Sequence, residues 1–209
     1  MTTRCDLSDL SLRGAADIVH GGGIIAFPTE TFYGLGACPF DTRAVQRIFD
    51  LKGRSLRARP ILVLIRSRAD LAALVSEITP AAERLMEACW PGPLTLVFRA
   101  AAVPSALTTG TDTIGVRLPA HPDVQRLLEA VGGPLTGTSA NRSGRPPATT
   151  AEDVDRALGD GVDVILNGGP TPGGLPSTVV DTTVDPPRLL REGRVSTALL
   201  RSVINSLAA

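Results

Sequence analysis

The chain has 209 residues, of which 43 % are hydrophobic and 3 % aromatic, and its 21 Lys plus Arg balance 21 Asp plus Glu. That length suits one domain whose core is filled by branched aliphatics and alanine rather than by rings. Zero net charge argues against attachment to nucleic acid by bulk charge, so any site for a polyanion must be local.

Residues 8–20 place Leu12, Ala15, Ala16 and Val19 on one helical face, and Gly21-Gly22-Gly23 stops the helix. IIAF at 24–27 is a short buried strand that runs into PTETFYGLG. Asp41 caps a helix through Leu51, which exits at Lys52-Gly53 into a charged loop. A strand is expected at 61–65 and helices at about 68–75 and 80–89, the second opening on Pro80 after Thr79. WPGP at 90–93 turns the chain into the strand LTLVF (94–98), and TIGVRLP (113–119) is a further strand. A helix over 122–131, a strand near 135–138 and a loop SANRSGRPP follow. Thr150 caps the next helix, and VDVILN, STVVDTT and RLLRE read as strands. The expected whole is an α/β (mixed α+β) fold: one twisted mixed sheet with flanking helices. A single domain over 1–209 is expected, with a core of about 8–196 and a short C-terminal helix over 196–207.

Cys5, Cys38 and Cys89 share no metal-ligand spacing, and His20 and His121 are the only histidines, so a zinc site has little to draw on. The N-terminus lacks an apolar signal core and no run approaches about 18 apolar residues, so the expected location is the cytoplasm, away from membranes. P-loop, G-x-G-x-x-G and G-x-S-x-G signatures are missing. Phosphate binding, if present, falls to side chains.

Four segments carry more hydrogen-bonding groups than their settings require. Thr29 and Thr31 end a buried strand, where ligand clefts form and where turn chemistry is equally at home. Lys52 and Arg54 offer a point charge and a fork to a triphosphate, or simply favourable charge at a helix C-terminus. Arg117 shares a strand face with Thr113 and Gly115, amid apolar neighbours. It therefore needs an anion, either a substrate carboxylate or a structural acid. Ser139 and Asn141 offer donors to phosphate or ribose, or else shape a turn.

Taken in order, FPTETFYGLGA, a helix ending KGR, WPGPLTLVF, DTIGVRLPAHP, TSANRSGRPP, and STVVDTT with LLREGRVS resemble the YrdC-type threonylcarbamoyl-adenylate synthase family from about residue 20 to 196. The resemblance implies a nucleotidyltransferase of YrdC-like fold with a concave basic groove, taking ATP, L-threonine and bicarbonate to threonylcarbamoyl-AMP and pyrophosphate. It implies Lys52, Arg54, Thr113, Ser139, Asn141 and Arg191 at ATP, with Lys52 and Arg54 catalytic. Thr31, Arg117, Gly137 and Ser177 would hold L-threonine, and Mg²⁺ would arrive on the ATP phosphates rather than on a protein metal site. Implied partners are a downstream threonylcarbamoyltransferase complex and tRNA or double-stranded RNA.

The chain departs from the family pattern in four places. SLRAR before Pro60 is one residue longer than usual, which puts Arg59 in doubt as an ATP contact. Leu64 stands where some members have a histidine, Pro147 where serine is frequent, and Phe32 where valine is common. At 209 residues the chain is expected to be the short form. Alternatives that stay open are an RNA-binding protein of this fold without the activity, an enzyme for another carbamoyl acceptor, and a paralogue that has lost activity. Lys52→Ala and Arg54→Ala are each expected to abolish adenylate formation with thermal stability nearly unchanged.

Overall fold

The computed structural model describes residues 2–53, 60–204 and 207–208. In chain order the elements are β1 (Thr3–Cys5), α1 (Asp9–His20), β2 (Ile25–Phe27), β3 (Gly34–Gly36), α2 (Thr42–Leu51) and β4 (Val63–Leu64). A 3₁₀ helix (Arg68–Ala73) precedes α3 (Pro80–Cys89), β5 (Leu94–Arg99), α4 (Ser105–Thr108), β6 (Thr113–Arg117) and α5 (Pro122–Val131). Next come β7 (Leu135–Thr136), β8 (Thr138–Ser139), α6 (Ala151–Leu158), β9 (Val164–Leu166), β10 (Thr178–Asp181), β11 (Arg188–Arg191) and α7 (Thr197–Val203).

Helix starts follow local chemistry. Asp41 accepts from the amides of Arg43 and Ala44 at the head of α2, and Thr79 accepts from Ala82 ahead of Pro80 in α3. Thr150 and Asp153 form a reciprocal capping box on α6.

The strands form two mixed sheets rather than the single sheet expected. One has the order β1-β9-β2-β3-β8 and the other β11-β10-β5-β6-β4-β7. The expected strand near 135–138 is the reason they meet. It divides at Gly137, so that β7 pairs with β4 in the second sheet and β8 with β3 in the first. Thr136, fully buried, ties the two together: its amide donates to Ala37 O at 3.0 Å and its Oγ1 accepts from Ala37 N at 2.9 Å.

Other boundaries also differ. The strand expected at 61–65 pairs only at Val63–Leu64, and the helix expected at 68–75 is 3₁₀ over Arg68–Ala73. The last helix ends at Val203 rather than 207, because Ile204 is extended and buried and Ala208 pairs beside Arg188 along β11. The strands β1 and β3 and the helix α4 had no counterpart in the sequence reading.

Helices α1 and α5 bury Leu12, Ala16, Leu127 and Leu128 against Ile25, Phe27 and Leu166 of the first sheet. The larger core joins α2, α3 and α6 to the opposite side of that sheet and to one face of the second. Along β5 and β6 the period of two is strict. Leu94, Leu96, Phe98, Ile114 and Val116 enter the core, while Thr95, Val97, Thr113, Gly115 and Arg117 face the other way. That second face is the wall of a cavity.

Candidate active site

The cavity has a volume of about 1100 Å³. Ligand clefts commonly run ~300–1,000 Å³, so there is room for a nucleotide and a small second substrate together. Among the described residues lining it, Lys52, Arg117 and Arg191 are cationic and none is acidic.

One end is organised around Lys52, the residue on which α2 terminates. Its side chain is buried, and its Nζ donates to Ser139 O at 2.5 Å, Asn141 O at 2.9 Å and Asn141 Oδ1 at 3.4 Å. Ser139 Oγ donates to Asn141 Oδ1 at 2.6 Å, and Asn141 Nδ2 donates to the carbonyls of Arg142 and Arg145. Asn141 therefore shapes the 141–145 turn as well as lining the cavity. The turn is docked from behind, where Ala140 N donates to Tyr33 O and Tyr33 N to Ala148 O. This end presents a fixed positive charge among neutral dipoles, which suits a phosphate group.

The other end centres on Arg117. Its Nε donates to Gly92 O at 3.1 Å, and its Nη2 is in ion-pair contact with Glu30 Oε1. The structural acid left open by the sequence is therefore present. Burial pushes the Glu30 carboxyl up, but the Arg117 charge and the amide of Ala120 outweigh it and hold it below the ordinary value. Thr31 and Thr29 share a hydrogen bond at 3.0 Å, both buried at the cavity wall.

A third group lines the same cavity. Arg191 donates from Nε and Nη2 to Ser177 O at 3.0 and 2.8 Å and from Nη2 to Ser177 Oγ at 3.0 Å. Ser177 Oγ also lies 2.9 Å from Thr95 Oγ1. The result is a hydroxyl and guanidinium cluster inside an otherwise apolar stretch of wall formed by Val97, Val179 and Leu190.

The family model described as telomere recombination, covering Sua5, YciO and YrdC, matches residues 17–193. The chain belongs to this family. It is 41 % identical over 202 residues to the threonylcarbamoyl-AMP synthase of Pyrococcus abyssi, and 36 % identical over 209 residues to that of Bacillus subtilis. These matches take in 96 % and 99 % of this chain but 59 % and 60 % of those proteins. The crystal structure of P. abyssi Sua5 complexed with L-threonine is similar with a TM-score of 0.93 at 40 % identity, covering 100 % of this chain and 61 % of that one. The chain thus spans about three-fifths of the length of these relatives.

Of the positions that the Sua5/YciO/YrdC resemblance singles out, Thr31, Lys52, Thr113, Arg117 and Gly137 line this one cavity. Ser139, Asn141, Ser177 and Arg191 line it too. Arg54 and Arg59 lie outside the described residues. Leu64, Pro147 and Phe32, the departures from the family pattern, also sit in the wall, so each reshapes the cavity directly. A Cβ on Gly137 would stand 2.6 Å from Leu64 Cγ and 2.8 Å from Leu62 Cδ1, which is why no side chain is carried there.

Lys52 corrects one expectation. At 4 % exposure and with three acceptors on its Nζ, it is part of the packed structure, so its removal is expected to cost stability. The sequence reading missed Thr95, Glu30 and Arg194. Thr95 had a signal, a hydroxyl amid the apolar alternation of LTLVF; the other two depend on contacts across more than 80 residues. No group of three or more His, Cys, Asp or Glu able to hold a metal ion occurs among the described residues. Nor is any helix among them long and apolar enough to cross a membrane.

Proposed function

We propose that the chain is an L-threonylcarbamoyladenylate synthase, joining L-threonine, bicarbonate and ATP into threonylcarbamoyl-AMP with release of pyrophosphate. The observation that carries this reading is the convergence of a buried lysine, a hydroxyl-amide pair and two arginines on one cavity large enough for both substrates. P. abyssi Sua5, similar over the whole of this chain, is described in complex with L-threonine.

In this reading the triphosphate lies at the Lys52, Ser139 and Asn141 end, with Arg54, Thr113 and Arg191 contributing. L-Threonine lies at the Thr31, Arg117, Gly137 and Ser177 end, its carboxylate on Arg117. The threonine amine forms a bond to the carbon of bicarbonate while a C–O bond of that carbon breaks and water leaves, giving a carbamate. A carbamate oxygen then forms a bond to the α-phosphorus while the bond to the β-phosphate oxygen breaks and pyrophosphate departs. Lys52 and the arginines stabilise negative charge on the non-bridging oxygens, and no covalent protein intermediate is required. Mg²⁺ enters as part of MgATP, bound to the phosphates. The buried Tyr33 hydroxyl donates to Gly169 O and burial raises its pKa, so it does not serve as a base.

The chain is further read as a single cytoplasmic domain. Its product would pass to a threonylcarbamoyltransferase complex that modifies tRNA. The direct measurement is pyrophosphate release from ATP with bicarbonate and Mg²⁺, comparing L-threonine, L-serine and no amino acid. Release that depends on threonine, with a labile threonine-derived adenylate by mass spectrometry, is the expected result. Equal release with all three would refute it.

A further inference from the structure

Arg117 is 4 % exposed, and its guanidinium is committed before any ligand arrives. Nε donates to Gly92 O and Nη2 is in ion-pair contact with Glu30 Oε1 without a hydrogen bond, while Nη1 makes no hydrogen bond among the described residues on a side chain that lines the cavity. A guanidinium has five N–H donors in a planar fork, so fixing two nitrogens fixes where the third points.

Glu30 does not line the cavity, although its neighbours Thr29 and Thr31 do. It is held on both sides. Oε1 accepts from Ala120 N at 3.2 Å, and its main-chain oxygen accepts from Arg194 Nη1 at 2.9 Å. Arg194 Nη2 also reaches Gly173 O at 3.4 Å, and Gly173 N donates to Thr31 O at 2.8 Å, so the loop carrying Glu30 is bolted to the loop leading to Ser177. Oε2 is buried with no hydrogen-bond partner. A residue needed only to shape the turn would not require a carboxylate carrying that desolvation cost.

We infer that Glu30 is a positioning residue for Arg117: it holds the guanidinium in the cavity wall with the Nη1 end turned to an incoming carboxylate. It touches no substrate and acts through Arg117 alone. The pair also cancels the formal charge of Arg117. Recognition at Arg117 then rests on the direction of its donors more than on net charge. The inference deepens the synthase reading and rests on it for the identity of the carboxylate.

Two readouts test it. In ¹⁵N-labelled protein, the Arg117 Nε–H signal, assigned by its loss in Arg117→Lys, is expected to be sharp and slow to exchange. In Glu30→Gln it is expected to broaden or exchange faster. In pyrophosphate-release assays, Glu30→Gln is expected to raise the threonine KM about tenfold or more, with the ATP KM moved less than about twofold and kcat retained. Glu30→Asp, which keeps the charge and shortens the reach, falls between, and it replaces Glu30→Gln in both measurements if that variant does not fold. An unchanged Nε–H signal with unchanged threonine KM would overturn the inference, and so would equal rises in both KM values. If the starting protein releases no pyrophosphate with threonine, the synthase reading falls, and the Nε–H signal alone decides whether Glu30 holds Arg117.

Discussion

Lys52 Nζ lies 2.5 Å from the main-chain oxygen of Ser139, a contact that closes 87 residues of chain and sets a charge at one end of the cavity. Lys52→Ala removes that charge and strips a donor from the Ser139 and Asn141 oxygens. Adenylate formation should be abolished, and stability should fall by about 1–3 kcal/mol, the cost of leaving buried acceptors unsatisfied. Pyrophosphate release and urea unfolding check the two effects separately.

Arg117→Ala leaves the partly buried Glu30 without its counter-charge. A loss of about 3–5 kcal/mol is expected, as for breaking one side of a buried pair. Removing both, in Arg117→Ala with Glu30→Ala, should cost clearly less than the sum of the two single changes. A double-mutant cycle by denaturant unfolding gives the coupling, and additive losses would show that the pair is not energetically joined.

Gly137→Ala drives a methyl into Leu64 and Leu62 at 2.6 and 2.8 Å. Overpacking there should destabilise the protein by about 1–3 kcal/mol. Adding Leu64→Ala opens space beside the new methyl and should recover part of the loss, which a pair of thermal melts would read.

The Glu30 carboxyl titrates below its ordinary value of 4.5 in the folded protein. A depressed folded pKa means that the folded state holds its proton less tightly than the unfolded state. The stabilisation is therefore complete above the unfolded value and is lost as pH falls from there through the lower folded value. Unfolding free energy measured from pH 6 downward should decline less steeply in Glu30→Gln than in the starting protein.

Helices were legible because their signals are local. Asp41, Thr79 with Pro80, and Thr150 each mark a start within four residues of sequence, and the structure begins α2, α3 and α6 there. The cavity wall was legible for a similar reason, since the alternation in TIGVRLP already placed Arg117 with Thr113 and Gly115 on one face. The strand β3 was not legible. Gly-Leu-Gly offers no strand pattern, and its glycines are there because Phe27 of the paired strand lies across them, 2.7 Å from where a Cβ of Gly36 would stand. The division of the 135–138 strand was hidden too, because partners in two different sheets decide it and the residues themselves do not. Arg117 was recognised as needing an anion, but Glu30 as that anion is a contact between residues 87 positions apart.

The passage from β7 to β8 through Gly137 has a mechanical corollary. One residue spans the gap between two hydrogen-bonded ladders, so the sheets share a rivet and cannot slide or spread without breaking pairs on one side of it. The distance between the lysine end and the arginine end is thereby gauged by the backbone itself. Structures determined with and without substrates should therefore superpose on β3, β4, β7 and β8 and keep that distance.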